Sequence, residues 1–473
     1  MISLISYTLP EIAICIGIIH LILLRLFSYD VAKVYAGFAR FWLLISLFFA
    51  ILFYNKSPYD LYFSYNSYTL LFILACGIFL YMVLFFSSFW FSTEKKSGCF
   101  YYIIMLGIFF NAQLMLGTVN LFILLIGYAL HLIFTGNLLK INFDKNNPIQ
   151  IRGYGLFSFL MLIILAASVL YLNFISGKNV NYSDIGEILS SNPNSFYLFL
   201  SVVGLIVPFL YILGITPFHV MEEEKNSKTI LPVAHYCMLI EPCIFWGVFI
   251  KINSFIYPHY NDILAYPYTL FAVLSAFWGA LGTNARINLL RIFSFGKLYV
   301  NGVILLLLSF GFADALFAAT FYLFISLLAF SGLYIVFYNL KSHGEYLSSV
   351  LSLSGLARTR PYLAGALVIC LFSLIGLPPM VGFWGIWSFL EILLNYGDYL
   401  SLSIFLILLI ILSKAYLEIV KTVYFEKKNK ILDSENKYIL LGMVINILLV
   451  IMLFFDPFHF IEKLRDMFYV IFV

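Results

Sequence analysis

Long apolar runs separated by short polar clusters repeat from one end of the chain to the other. They fall near residues 3–25, 36–55, 68–92, 99–117, 119–140, 153–176, 195–218, 229–252, 263–285, 293–311, 315–340, 361–396, 400–424 and 438–460. Crossing hydrocarbon takes about 20 consecutive, mainly apolar residues, so the pattern predicts an all-α membrane protein of about 14 transmembrane helices. A β-barrel is excluded, because its strands would alternate over segments of about 10 residues. Only Gly117-Thr118-Val119-Asn120 divides the fourth run from the fifth. The apolar stretch around it, roughly 40 residues, is too long for one span, and a tight reversal is expected there.

The charged residues support this count. They make up 11% of the chain against 63% hydrophobic residues, whereas a soluble domain carries roughly 25% charge. Lys and Arg collect in loops left on the cytoplasmic or matrix side, and here they collect in the odd-numbered loops. Arg25, Lys33 and Arg40 lie in the first, Lys95 and Lys96 in the third, and Lys140, Lys145 and Arg152 in the fifth. Arg286 and Arg291 follow in the ninth, Lys341, Arg358 and Arg360 in the eleventh, and Lys421 to Lys437 in the thirteenth. Even loops are neutral or acidic: Lys56 with Asp60, Lys178 with Asp184 and Glu187, Lys251 with Asp262, then Asp314 and Asp398. The seventh loop, Glu222-Glu223-Glu224 with Lys225 and Lys228, is the exception. Both termini are expected on the outer side, and Met1-Ile2-Ser3-Leu4 shows no import or secretion signal.

Two spans carry helix breakers. Gly214-Ile215-Thr216-Pro217 interrupts the seventh, and Gly376-Leu377-Pro378-Pro379 with Gly382 interrupts the twelfth. Proline removes a backbone donor and frees the carbonyl one turn earlier, which hydrocarbon tolerates only where protein or water meets the freed groups. Paired breaks in corresponding places point to antiporter-like inverted repeats with discontinuous helices 7 and 12. The expected organisation is three N-terminal helices over 1–97, five-helix repeats over 98–255 and 256–426, and a last helix and tail over 427–473.

Five stretches, in order, resemble one family. They are Leu9-Pro10-Glu11-Ile12; Asn120-Leu121-Phe122-Ile123-Leu124-Leu125-Ile126-Gly127-Tyr128; Pro217-Phe218-His219 followed by Leu231-Pro232-Val233; Asn288-Leu289-Leu290-Arg291-Ile292-Phe293-Ser294-Phe295 with Gly302; and Gly376-Leu377-Pro378-Pro379-Met380-Val381-Gly382-Phe383. Together they resemble the antiporter-like subunit 2 of respiratory complex I and its bacterial N-subunit relatives. The double proline favours subunit 2 over the sister subunits 4 and 5. The resemblance implies a membrane-arm subunit of NADH:ubiquinone reductase, with no independent catalytic site and no cofactor of its own. NADH, FMN, iron–sulfur clusters and ubiquinone would sit in other subunits. The implied partners are the subunit 4 and subunit 4L type neighbours and membrane lipids. An abundance of Phe and Tyr, residues with A/T-rich codons, suggests an organelle-encoded gene and the mitochondrial inner membrane.

The same resemblance implies a buried proton relay of a glutamate in the fifth helix, lysines in the seventh and eighth, and a lysine or glutamate in the twelfth. All four positions differ here: Ala129, Ile212, Pro242 and Ile386 occupy them. Other ionisable groups lie within the spans, where charge is costly and retained for function. His131 is two residues past Ala129, His235 and Glu241 share the eighth helix, Lys297 lies in the tenth, Glu391 follows the twelfth-helix break, and Lys414 and Glu418 stand at i,i+4 in the thirteenth. They are the candidate proton path, with Glu241 and Glu391 its leading carriers. Each also has a local reading: Lys297 snorkelling to the interface, Lys414 pairing with Glu418, the histidines packing. With the four usual charges lost, the expected role is mainly to couple and hold neighbouring subunits, and a displaced relay is the alternative. The alternatives are subunit 4 or an autonomous cation/proton antiporter. The six cysteines form no Cys-x-x-Cys pair and the histidines no metal spacing, and a net charge of +4 spread over several loops gives no nucleic-acid patch.

Overall fold

The computed structural model describes residues 8–27, 31–54, 62–141, 148–191, 195–342, 344–427, 432–455, 459, 462 and 465. Several loop charges counted above, among them Asp30, Lys56, Asp60, Asp144 and Lys145, lie outside these residues, as do both termini. Among the described residues the chain is almost wholly helical: α1 (Leu9–Leu26), α2 (Ala32–Phe53), α3 (Ser67–Thr93), α4 (Cys99–Gly117), α5 (Leu121–Lys140), α6 (Pro148–Ser176), α7 (Tyr182–Ser191), α8 (Phe196–Ile212), α9 (His219–Lys228), α10 (Leu231–Asn284), α11 (Leu289–Leu308), α12 (Ala313–Tyr338), α13 (Leu356–Thr359), α14 (Pro361–Ile375), α15 (Gly382–Tyr396), α16 (Tyr399–Phe425) and α17 (Lys437–Phe455). A two-stranded ribbon, Lys341–Ser342 with Glu345–Tyr346, follows α12.

Among the described residues, twelve segments are long and apolar enough to span a membrane, and the two shorter apolar helices are α8 and α14. Those two are the first halves of the interrupted spans, so the expected number is met and both breaks are present. The first break runs from Leu213 to Phe218 and the second from Gly376 to Val381. Each opens on a glycine at positive φ, Gly214 at 67° and Gly376 at 82°, and each carries a cis X–Pro bond, Thr216–Pro217 and Pro378–Pro379. Freed backbone groups find partners. The Thr216 N–H donates to Ser275 Oγ at 3.1 Å, and the Val381 N–H to the Val450 carbonyl at 3.0 Å.

The fourth and fifth spans turn back within Thr118–Asn120, as the sequence predicts. Asn120 caps α5, its Oδ1 accepting from Phe122 and Ile123 N–H. Its backbone bridges Asn181, 61 residues on. Asn288 caps α11 in the same way, accepting from Arg291 N–H, and bridges Ser349 at that same separation. One local device thus caps both α5 and α11.

Two expectations change. The eighth and ninth spans, Leu231–Pro258 and Ile263–Asn284, are joined by helical residues inside α10 rather than by an open loop. The seventh loop is also no loop. Residues 219–228 form α9, and Glu222, Glu223, Lys225 and Asn226 are buried. Its charges are held by protein, which explains why they break the loop-charge alternation.

By internal packing the chain divides into two units. One is built from residues within 1–213 and 240–260, the other from residues within 214–239 and 261–466.

Candidate functional site

In the first unit, α5 turns Leu121, Leu124, Gly127, Tyr128, His131 and Thr135 inward at helical spacing. Residues 231–253 of α10 are all buried, so Glu241 has no route to lipid. It meets His131 instead: Nε2 lies 3.2 Å from Glu241 Oε1 and 3.2 Å from Thr135 Oγ1. With the proton on Nε2 the ring donates to the carboxylate. Without it, Nε2 accepts from the threonine hydroxyl, so the ring has a partner in either state. Phe245 stands edge-on to the imidazole at 4.5 Å and closes the pair off with hydrocarbon. Ala129 is only half-buried.

Lys251 was counted above as a loop charge, and this is corrected by the structure. It lies in the same buried span, 2% exposed, with Nζ donating to the carbonyls of Leu116 at 2.8 Å and Thr118 at 3.0 Å. These are C-terminal carbonyls of α4, the end of a helix that carries partial negative charge.

In the second unit a carboxylate bridges two amines. Glu222 Oε1 accepts from Lys297 Nζ at 2.8 Å, and Glu222 Oε2 accepts from Lys225 Nζ at 2.5 Å. Asn226 Nδ2 donates to the first oxygen at 3.1 Å, and Lys297 also donates to the Cys237 carbonyl at 2.9 Å. Glu222, Lys225 and Lys297 are all less than a tenth exposed. Lys297 therefore does not snorkel. The helix break makes the bridge possible, since a Cβ on Gly214 would collide with the Glu222 side chain. Chemically the arrangement is a donor–acceptor chain, with a path for a proton from one amine through the two carboxylate oxygens to the other. Glu223 beside it, also buried, pairs with Arg286 at 3.5 Å and Arg291 at 3.4 Å.

The remaining candidates sit differently. His235 stacks on Tyr334 with ring centroids 5.0 Å apart and has Tyr338 Oη 3.5 Å from Nδ1, the surroundings of a packing residue. Glu391 is exposed and lines a cavity of about 500 Å³ with Asp314, Glu462, Arg465, Trp384 and Trp387. Lys414 and Glu418 form a loose pair at 3.9 Å, 70% and 59% exposed. Pro217, Pro378, Pro379, Gly376 and Gly382 lie at the two breaks, and Ser373 Oγ accepts from the Gly382 N–H at 3.3 Å. Sequence reasoning missed Glu222, Lys225 and Lys251. The anomalous seventh loop was the available signal for the first two.

The family model described as "NADH:quinone oxidoreductase/Mrp antiporter, TM" matches residues 118–412. The chain belongs to this family. Among similar proteins, NADH-quinone oxidoreductase subunit N of Pelagibacter ubique (strain HTCC1062) is 24% identical over 97% of this chain and 98% of its own length. Subunit N 2 of Hydrogenobaculum sp. (strain Y04AAS1) is 25% identical over 97% and 99%. Two solved structures share the antiporter-like fold. A chain of respiratory complex I from Thermus thermophilus with bound aureothin superposes with TM-score 0.78 at 18% identity, covering 96% of this chain and 99% of that one. A chain of the Mrp complex from Dietzia sp. DQ12-45-1b gives 0.84 at 14% identity, covering 98% and 97%.

Proposed function

We propose that this chain is the N-type (subunit 2) membrane-arm component of a proton-translocating NADH:quinone oxidoreductase. The observation that carries the reading is the end-to-end match to subunits of that name, over 97% of this chain and 98% of the Pelagibacter relative. Redox chemistry then belongs to other subunits, with NADH, FMN, iron–sulfur clusters and ubiquinone bound there. This chain contributes proton movement.

The four relay positions filled by Ala129, Ile212, Pro242 and Ile386 carry no titratable group. We assign their work to charges a short distance away: the His131–Glu241 pair in the first unit and the Lys225–Glu222–Lys297 bridge in the second. Ionisable groups buried at such cost are retained for function, and these two sets favour a displaced relay over a purely structural role. The exposed Lys414–Glu418 pair supports a partner. It lies within the span Tyr399–Phe425, and a charged pair there is better covered by protein than by lipid tails. A subunit 4 type neighbour is the proposed cover, with a subunit 4L type neighbour and lipids elsewhere. The proposed location is an energy-transducing membrane, the mitochondrial inner membrane on the strength of residue usage.

The test is purification of the tagged chain from native membranes in mild detergent. Co-purification with NADH:quinone reductase activity is expected. A chain that runs alone and exchanges cations for protons in liposomes would overturn the reading.

A further inference from the structure

Glu11 belongs to the Pro-Glu motif at the start of α1, outside the residues matched by the family model and outside the relay described above. It is 7% exposed. Its Oε1 accepts two phenol hydrogens, from Tyr54 at 2.6 Å and Tyr65 at 2.8 Å, and the two rings stack with centroids 4.1 Å apart. Oε2 is buried with no hydrogen-bond partner among the described residues. A carboxyl with both donors on one oxygen and the other oxygen bare is asymmetric: the bare oxygen is where a proton adds.

The surroundings hold this geometry in place. Ser46 Oγ donates to the Pro10 carbonyl at 2.8 Å, and Gln113 Nε2 donates to Ser46 Oγ at 2.9 Å, tying the start of α1 to α2 and α4. Tyr65 lies flat against Gly117, where a Cβ would strike its ring. The carbonyls on either side of that glycine, Leu116 and Thr118, are the two that accept from Lys251. Glu11 and Lys251 are therefore both fixed to the α4–α5 reversal. Among the described residues, the titratable groups facing Glu11 are Tyr54 at the end of α2, Tyr65 from the segment before α3, and Cys15 one turn along α1.

We infer that Glu11, with Tyr54 and Tyr65, is a second proton-binding site, placed where α1 begins and α2 and α4 end. That end carries the neutral even-numbered loops, so the site stands at the outer face, where protons leave. One proton adds to Glu11 Oε2 and departs from it to water, and both phenols stay protonated throughout. The assignment of an outward direction rests on the proposed function, but the binding site itself does not.

The experiment is infrared titration of the purified complex. A buried carboxyl band that grows on acidification is expected in the parent protein, absent in Glu11→Gln, and shifted in frequency in Tyr65→Phe, which keeps the ring against Gly117 but removes one donor. A titrating band unchanged in Glu11→Gln and Tyr65→Phe overturns the site. A band that behaves as expected, in a complex whose proton yield per NADH is unaffected by Glu11→Gln, keeps the site and refutes only its part in pumping.

Discussion

Lys297 Nζ and Glu222 Oε1 meet at 2.8 Å inside the second unit, although one residue comes from a span and the other from what reads as a charged loop. Removing one member of a buried ion pair leaves the other uncompensated, at a cost of about 3–5 kcal/mol. Lys297→Met should lower the midpoint of detergent-induced unfolding of the complex strongly. Lys297→Met with Glu222→Gln and Lys225→Met should recover much of the loss, because no charge of the bridge is then stranded. A double-mutant cycle that shows additive effects would place the two groups apart.

Gly214 at the first break is held by space as well as by backbone angle, and Gly382 at the start of α15 by space. Gly214→Ala forces a side chain into left-handed backbone, about 1–2 kcal/mol, and into the Glu222 side chain. Gly382→Ala drives a methyl into the Ser373 carbonyl. Both should reduce assembled complex in membranes. Gly136→Ala, with nothing within 4 Å of the added carbon, should be neutral or gain roughly 0.5–1 kcal/mol from helix propensity.

Asn120→Ala removes the cap of α5 and the bond from Asn120 Nδ2 to Asn181 Oδ1 at 2.9 Å. Loss of a cap costs about 1 kcal/mol, and here the reversal between α4 and α5 loosens as well. Proteolysis near residue 118 should quicken in Asn120→Ala and stay unchanged in Asn288→Ala, which uncaps α11 alone.

Helix number, the tight reversal at 117–120 and both helix breaks were legible because each has a strong local cause: continuous apolar length, a polar cluster too short for a loop, and Gly/Pro groups inside a span. The charged residues were less legible. Lys251 and Glu222 look like loop residues because nearby sequence is polar, and only tertiary packing shows that α10 continues past 252 and that α9 is buried. Lys297 and His131 were found, but their partners, Glu222 and Glu241, are 75 and 110 residues away, a separation that no local pattern reports. Glu391 was ranked with Glu241 for its nearness to a family position, yet it opens onto a cavity rather than a buried partner.

The loop-charge alternation assigns Lys95 and Lys178 to opposite faces of the membrane. In a background lacking the natural cysteines, Lys95→Cys and Lys178→Cys should react with a membrane-impermeant maleimide from opposite sides of sealed vesicles. Reaction of both from one side would require a different span count.

The central claim is that proton movement persists on displaced charges, and proton yield measures it directly. Protons moved per NADH oxidised should be counted in sealed vesicles holding the assembled complex, in the parent protein and in Glu241→Gln, Glu222→Gln and Glu391→Gln. The account predicts a lowered yield in Glu241→Gln and Glu222→Gln, with NADH oxidation retained, and an unchanged yield in Glu391→Gln. An unchanged yield in all three, with normal assembly, would contradict it and leave this subunit a structural one.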